Sequence, residues 1–339
     1  MRYPGFLKEK GKIGVCAPSF GAVIEPYVSR MKNAIKTFNT LGHEVVLTES
    51  VNKHKTIRST SKVKRAKEFM SLYKDNSIDL IISEAGGEVM CEMIPELNFN
   101  TIAKLEPKWF MGYSDNTWLT FLLPTLCDVA SVYGYCLPEF GMSKWHESVE
   151  DHYKLIRGQK LEVKGYDMYE VKGLRRIPGN ELAGFNLTKS TKYHCLSRQK
   201  EFNVEGRILV GCLDVLSTIC GTKFDKVKEF VDKYKDDGII WFVESCDLTI
   251  LDQLRAFWQL KNAGWFNHAK AIIIGRPAHK EKMFNVDYKR ANYSELKSLG
   301  IPVIIDVDFG HVSPSFPIIS GGYAKVDYKD EFKVEYILK

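Results

Sequence analysis

Residues 108–123 read KWFMGYSDNTWLTFLL, and the change of rhythm inside them sets the fold. An apolar run of strand length, Trp109 to Met111, meets Gly112-Tyr113-Ser114-Asp115. Behind that turn, Trp118, Leu119, Phe121 and Leu122 fall at helical spacing. A strand that runs straight into a helix is the building unit of a parallel sheet covered by helices. Ser114 sits at the tip, where a nucleophile is held with its hydroxyl exposed and a backbone N–H beside it. The G-x-S-x-G form is incomplete, because Asn116 or Thr117 stands where its last glycine would be. A second reading therefore stays open: Ser114 and Asp115 simply cap the following helix.

The same rhythm extends on both sides. Upstream, KIGVCAPS, HEVVLTES and IDLIISEAGG read as strands. Helices are predicted over 25–41, with Val28, Met31, Ile35, Phe38 and Leu41 on one face and Gly42 as the stop, and over 58–74. A short helix is expected at 88–97 and another at 115–124, before the strand DVASVYGY. This alternation predicts a parallel α/β domain over 1–140, with ligands beyond the carboxyl ends of its strands. Ser114 and the Gly86-Gly87 pair both fall at such ends. Over 141–205 the periodicity fades into charged stretches such as EDHYKLIRGQK, which read as a linker with loops or small strands. From 206 to 339 a second α/β domain follows, with GRILVGCLD, GIIWFVES, KAIIIGRP and IPVIIDVDFGH as strands. A helix through Leu251, Leu254, Phe257 and Leu260 and a terminal hairpin, YAKVDYKDEFKVEYIL, complete it.

Composition narrows the class. The 339 residues are 45% hydrophobic and 27% charged, ordinary for a globular protein, and long enough for two domains. A net charge of +6 is small for this length and argues against a nucleic-acid polymer or a membrane surface as partner. The eight cysteines, at 16, 91, 127, 136, 195, 212, 220 and 246, form no C-x-x-C pair. Most lie in apolar runs, which suits free buried thiols in a reducing compartment. No run reaches the roughly 18 apolar residues of a spanning helix, and the N-terminal stretch does not read as a signal peptide. A cytoplasmic enzyme is the expectation. Trp109, Trp118, Trp241, Trp258 and Trp265 lie in apolar runs and read as core.

A serine nucleophile needs a base and a group to orient it. WFVES delivers Glu244 at a strand end, and VIIDVDFGH delivers His311 beside Gly310. Each has a plainer reading, Glu244 as an acid at a helix start and His311 as a loop residue. Asp306 and Asp308 compete with Glu244. An oxyanion hole is available from the backbone of Asp115 and from the glycines of EAGGEVM, which do not match a dinucleotide fingerprint. Cys136, in YGYCLPE, is an alternative nucleophile. The histidines show no H-E-x-x-H or paired ligand spacing, so neither a metal nor another cofactor is expected.

Taken in order, EAGGEVMCEMIPELN, MGYSDNTWL, GRILVGCLDVLSTICGT, WFVES and FGHVSPSFPI resemble the LD-carboxypeptidase and microcin C immunity family of serine peptidases over nearly the whole chain. The resemblance implies Ser114 as nucleophile, His311 as general base and acid, and Glu244 as its orienting group. It implies an oxyanion hole from the N–H groups of Gly87 and Asp115, with Gly86 and Tyr113 against the substrate. It also implies a flavodoxin-like parallel-sheet N-terminal domain, a smaller swivelling α/β C-terminal domain, and a homodimer. The expected substrate is a small peptide or a peptidyl or aminoacyl nucleotide, with a muropeptide stem as alternative. A non-catalytic ligand-binding protein on the same frame is the contrasting possibility. Where the family often carries Gly-Gly-Asn, this chain has Val210-Gly211-Cys212. Aromatic candidates to face a nucleobase are Tyr166, Tyr169, Phe185, Tyr193 and Phe202.

Overall fold

The computed structural model describes residues 1–339 except Arg198, Lys200 and Asp330. The N-terminal part runs β1 (Lys12–Cys16), α1 (Tyr27–Thr40), β2 (Glu44–Leu47), α2 (Lys62–Lys74), β3 (Leu80–Ser83), α3 (Phe99–Ile102), β4 (Trp109–Gly112), α4 (Thr117–Cys127) and β5 (Ser131–Tyr133). Helix α2 starts later than its periodicity suggests, because the Ser61 side chain accepts from the Lys64 N–H and sets the N-cap there. The stretch expected as one helix at 88–97 is two 3-10 turns, Met90–Glu92 and Ile94–Glu96, with Pro95 in the second. Proline has no N–H for an α-helical bond.

Between the two halves lie α5 (Glu147–Ile156), β6 (Glu162–Lys164), β7 (Met168–Glu170), β8 (Leu187–Ser190) and β9 (His194–Cys195). Helix α5 was not legible as periodicity, because its inward face mixes Ser148 and His152 with Val149, Leu155 and Ile156. The second half runs β10 (Phe202–Cys212), α6 (Leu213–Ile219), α7 (Val227–Lys233), β11 (Ile239–Glu244), α8 (Ile250–Asn262), β12 (Ala269–Gly275), α9 (Tyr288–Leu296), β13 (Val303–Val307), β14 (Ile318–Ser320), β15 (Tyr323–Tyr328) and β16 (Phe332–Tyr336).

The first sheet has the order β14-β5-β4-β3-β1-β2. Its parallel part, 2-1-3-4-5, is the flavodoxin-like order, whose switch point lies between β1 and β3. The sixth strand, β14, comes from far down the chain and pairs antiparallel with β5. The second sheet, β6-β16-β15-β10-β11-β12-β13-β9, is parallel from β10 to β13 and antiparallel at both flanks. Alternate residues of the parallel strands enter different apolar clusters: Trp109, Ile208 and Ile240 in one, Phe110, Leu209 and Trp241 in the other. Both sheets are thus buried on both faces, which explains why their strands read as continuous apolar runs. Trp109, Trp118, Trp241 and Trp265 are core residues as expected, but Trp258 is 55% exposed on α8. Its apolar neighbours in sequence misled, since Phe257 and Leu260 take the inward face and Trp258 points the other way. No helix among the described residues is long and apolar enough to cross a membrane.

Candidate active site

Ser114 is reached by the turn from β4 into α4 and has φ +64°, a left-handed conformation that costs a non-glycine residue energy. The turn is held from several sides. The Ser114 carbonyl accepts from the Thr117 hydroxyl at 2.7 Å, and Thr117 Oγ1 accepts from the Cys212 N–H at 3.0 Å. Asn116 Nδ2 donates to the Ala85 carbonyl at 3.1 Å. Thr117 and Asn116, which break the G-x-S-x-G pattern, are therefore the residues that tie the tip to its neighbours. The close packing that a last glycine would allow is met by Gly112 and Gly211 instead. A Cβ on Gly112 would come within 2.8 Å of Asn116, and one on Gly211 within 2.6 Å of Thr117.

The loop after β3 faces this tip. A Cβ on Gly86 would lie 3.2 Å from Ser114 Oγ, so a side chain there would crowd the hydroxyl. Gly87 has φ +145°, which only glycine adopts readily, and a Cβ there would meet Ser19 Oγ at 2.3 Å. Asp115, 3% exposed, locks loop and tip together by accepting from Ser19 Oγ at 2.5 Å and from the Met90 N–H at 2.8 Å. Burial raises its carboxyl, against the pull of those two donors and of Arg65. Among the described residues, neither the Gly87 nor the Asp115 N–H donates a hydrogen bond.

Glu244 ends β11 and is 1% exposed. Its Oε2 lies 2.8 Å from His311 Nδ1, and its Oε1 accepts from the Tyr133 hydroxyl. The same hydroxyl accepts from the Ser114 N–H at 3.2 Å. Tyr133, on β5, thus joins the serine turn of the first sheet to the acid of the second. Its role was missed because VYGY reads simply as strand core. Gly310 lets the His311 loop close over the acid: its φ is +96°, and a Cβ would stand 2.6 Å from Glu244 Oε2. Burial opposes charge on His311, but the Glu244 carboxylate and Cys246 outweigh it and hold the imidazole well above the usual histidine range. Burial likewise opposes charge on Glu244, while His311 and the Tyr133 hydroxyl keep its carboxyl below the usual range.

The competing acids are engaged elsewhere. Asp306 is held by Lys280 and His194 at 3.0 Å and by the Tyr288 hydroxyl at 2.7 Å. Asp308 pairs with Arg276 at 2.6 Å and accepts from the Tyr193 hydroxyl at 2.5 Å. Cys136 is buried, and burial, then Glu139, pushes its thiol well up, the reverse of what a thiolate nucleophile needs.

Ser114, His311, Gly86, Gly87 and Tyr113 line one cavity of about 610 Å³. Its wall is acidic, with Glu25, Glu84, Glu88, Glu139 and Asp247 against Arg176. Both oxygens of Glu84 are buried without a partner, and burial, then Glu139, raises that carboxyl well above its ordinary value. Tyr113 packs on His311 with ring centroids 5.2 Å apart. The aromatics on this cavity are Phe20, Tyr27 and Tyr113. The five expected to meet a nucleobase lie outside it: Tyr166 bonds Asp151, Tyr193 bonds Asp308, Tyr169 stacks under Arg276, Phe185 packs on His146 and Phe202 is core. Phe20 and Tyr27 were missed: Phe20 stands alone in loop-like sequence, and Tyr27, the first residue of α1, lies outside the apolar face read from that helix.

The strand-to-helix tip thus brings Ser114 to the same cavity as His311, which is paired with Glu244. The comparisons give the family. Residues 13–134 match the LD-carboxypeptidase N-terminal domain and residues 205–326 the LD-carboxypeptidase C-terminal domain, both of the peptidase S66 family, and the chain belongs to that family. It is 26% identical over 311 residues to the microcin C7 self-immunity protein MccF of Escherichia coli, covering 89% of this chain and 87% of that one. It is 24% identical over 329 residues to the putative carboxypeptidase YocD of Bacillus subtilis, covering 96% of each. The crystal structure of an MccF-like protein from Bacillus anthracis superposes over 100% of both chains with a TM-score of 0.85 at 23% identity. MccF in complex with aspartyl sulfamoyl adenosine shares the fold with a TM-score of 0.82 at 22% identity, over 99% of both chains.

Proposed function

We propose that the protein is a serine peptidase of the acyl-transfer type that cleaves an amide bond near the C-terminus of a small peptide or a peptidyl or aminoacyl nucleotide. The observation that supports this reading is the Tyr133 bridge, which links the Ser114 turn to Glu244, the partner of His311, while Ser114 and His311 line one cavity. Ser114 Oγ attacks the amide carbonyl and passes its proton to His311. The oxyanion is met by the free N–H groups of Gly87 and Asp115. Glu244 holds the Nδ1–H tautomer and stabilises the imidazolium, which then protonates the leaving amine. Water, activated by the same imidazole, releases the acyl group.

Two substrate classes are supported. Complexes of MccF with aminoacyl sulfamoyl nucleosides favour the nucleotide. The carboxypeptidase names in the family favour a muropeptide cleaved by an LD-carboxypeptidase. The acidic cavity wall suits the free ammonium group that both carry. A fluorophosphonate probe tests the chemistry: label on Ser114 is expected, and a folded protein that takes no label would be a binder instead. Separate incubation with a tetrapeptide muropeptide and an aminoacyl sulfamoyl adenylate then assigns the substrate by which one is cleaved.

A further inference from the structure

Cys212 and Glu244 end neighbouring parallel strands and are direct register partners. Their side chains therefore leave the sheet on the same side. The His311 loop arrives over them from β13. As a result, the Cys212 thiol, a Glu244 carboxylate oxygen and a His311 ring nitrogen all lie within 4.8 Å of one another, the one such trio among the described residues. Thiolate, imidazole and carboxylate together form the donor set that zinc and cadmium select, whereas magnesium and calcium prefer oxygen alone.

The surroundings bear on a metal site in three further respects. The Cys212 thiol donates to Asp214 Oδ2 at 3.3 Å, which gives the proton an acceptor when the thiol ionises, and Asp214 is itself fixed by the N–H groups of Cys246 at 3.2 Å and Asp247 at 2.8 Å. The Tyr133 hydroxyl steadies the other Glu244 oxygen. Outer partners of this kind orient ligands and tune affinity. A second cavity of about 150 Å³, lined by Cys212, Asp214 and Ser114, reaches the thiol, while His311 lines the larger one. Zinc bonds of about 2.0–2.3 Å require donors roughly 3.5 Å apart. The widest pair of the trio, at most 4.8 Å apart, needs a contraction of up to about 1.3 Å, and a cation on Nδ1 needs the 2.8 Å contact between His311 Nδ1 and Glu244 Oε2 to open by about 0.7 Å.

We propose that Cys212, Glu244 and His311 form a binding site for one thiophilic divalent cation, zinc or cadmium, and that filling it switches the serine chemistry off. Binding replaces the thiol proton of Cys212, which passes to solvent, and takes a lone pair of His311. A cation on Nδ1, where Glu244 Oε2 lies 2.8 Å away, leaves the ring proton on Nε2 and no lone pair to accept from Ser114. A cation on Nε2 blocks that lone pair directly. In both cases Glu244 spends its charge on the metal.

The metal site rests on donor geometry alone, and the switch rests on the serine reading above; two measurements keep them apart. Cadmium is titrated into the full chain, reduced with a phosphine, while the thiolate-to-metal absorption is followed. One equivalent is expected to bind, with Cys212→Ser weakening it about 100-fold and Cys246→Ser retaining the band. Fluorophosphonate labelling of Ser114 is then timed with and without zinc. At least a tenfold slowing is expected, reversed by EDTA, and the ratio should fall toward one in Cys212→Ser. No band at 100 equivalents of cadmium, a band that survives Cys212→Ser or follows Cys246, or labelling accelerated by zinc would each overturn the proposal. If Ser114 takes no label under any condition, the serine reading and the switch fall together, while the cadmium titration still decides the metal site.

Discussion

Tyr133→Phe isolates the bridge between the two sheets, because it removes one oxygen and leaves the ring in place. Tyr133 is 1% exposed, so no water replaces the lost hydroxyl. Glu244 Oε1 loses a donor to a charged acceptor, worth about 1.5–3 kcal/mol, and the buried Ser114 N–H loses a neutral acceptor, worth about 1 kcal/mol. The sum is a destabilisation of roughly 3 kcal/mol. With an unfolding entropy of about 2.1 cal/mol/K per residue, that is a fall in Tm of about 4 °C. Catalysis loses orientation and keeps every reacting group, so kcat should drop about 10–100-fold, or about 1.4–2.7 kcal/mol, with KM within threefold. The pH profile adds a signature. His311 acts as a base only when neutral, and Glu244 already raises its proton affinity, so kcat/KM should climb with pH through a midpoint above the ordinary histidine value of about 6.5. The Tyr133 hydroxyl draws charge from Glu244; without it the carboxylate pulls harder on the imidazolium, and the midpoint should move to still higher pH. Steady-state kinetics across pH, with thermal unfolding on the same samples, measures all three effects. A variant with unchanged kcat/KM and an unmoved midpoint would show that the bridge is mere packing, and a loss near 10⁴ would make Tyr133 a reacting group.

Three other outcomes are expected. Ser114→Ala should lower turnover by roughly 10⁴-fold or more while circular dichroism and Tm stay near those of the parent, and a variant keeping a tenth of the activity sinks the nucleophile assignment. Glu244→Gln should cost about 10⁴ in kcat, and adding His311→Ala should cost little more, since the two act as one unit; strictly additive losses in kcat/KM would give Glu244 a separate role. Activity should survive EDTA, because the proposed steps use no Lewis acid, and loss on chelation with recovery on adding zinc contradicts them.

Most of the first sheet was legible, because strands buried on both faces print as unbroken apolar runs and α1, α2 and α4 keep their period, whereas the stretch between β3 and β4 broke into two 3-10 turns and the short α3. Ser114, Glu244 and His311 were each visible as polar residues at strand ends, and the structure places Ser114 and His311 on one cavity and Glu244 on His311. What escaped is what depends on two distant segments at once. The register of Cys212 opposite Glu244 and the reach of Tyr133 to Glu244 leave no local pattern. Helix α5 hid because Ser148 and His152 do the burying that a periodicity search assigns to apolar residues. The nucleobase aromatics failed for a related reason: an aromatic in sequence says that something is packed, and only the fold says against what.

The antiparallel strand β14 has a consequence for how the protein is made. It closes the edge of the first sheet with residues 318–320, while the His311 loop just before it springs from β13 in the second sheet. A growing chain on the ribosome displays Ser114 early, yet its first sheet keeps an unpaired edge at β5 until residues 318–320 emerge. Such an edge is a hazard for wrong pairing during synthesis. The strand that covers it follows the histidine loop directly, so that loop spans from one sheet to the other. Closing the first sheet and bringing His311 over Glu244 therefore draw on one short stretch of chain, residues 311–320.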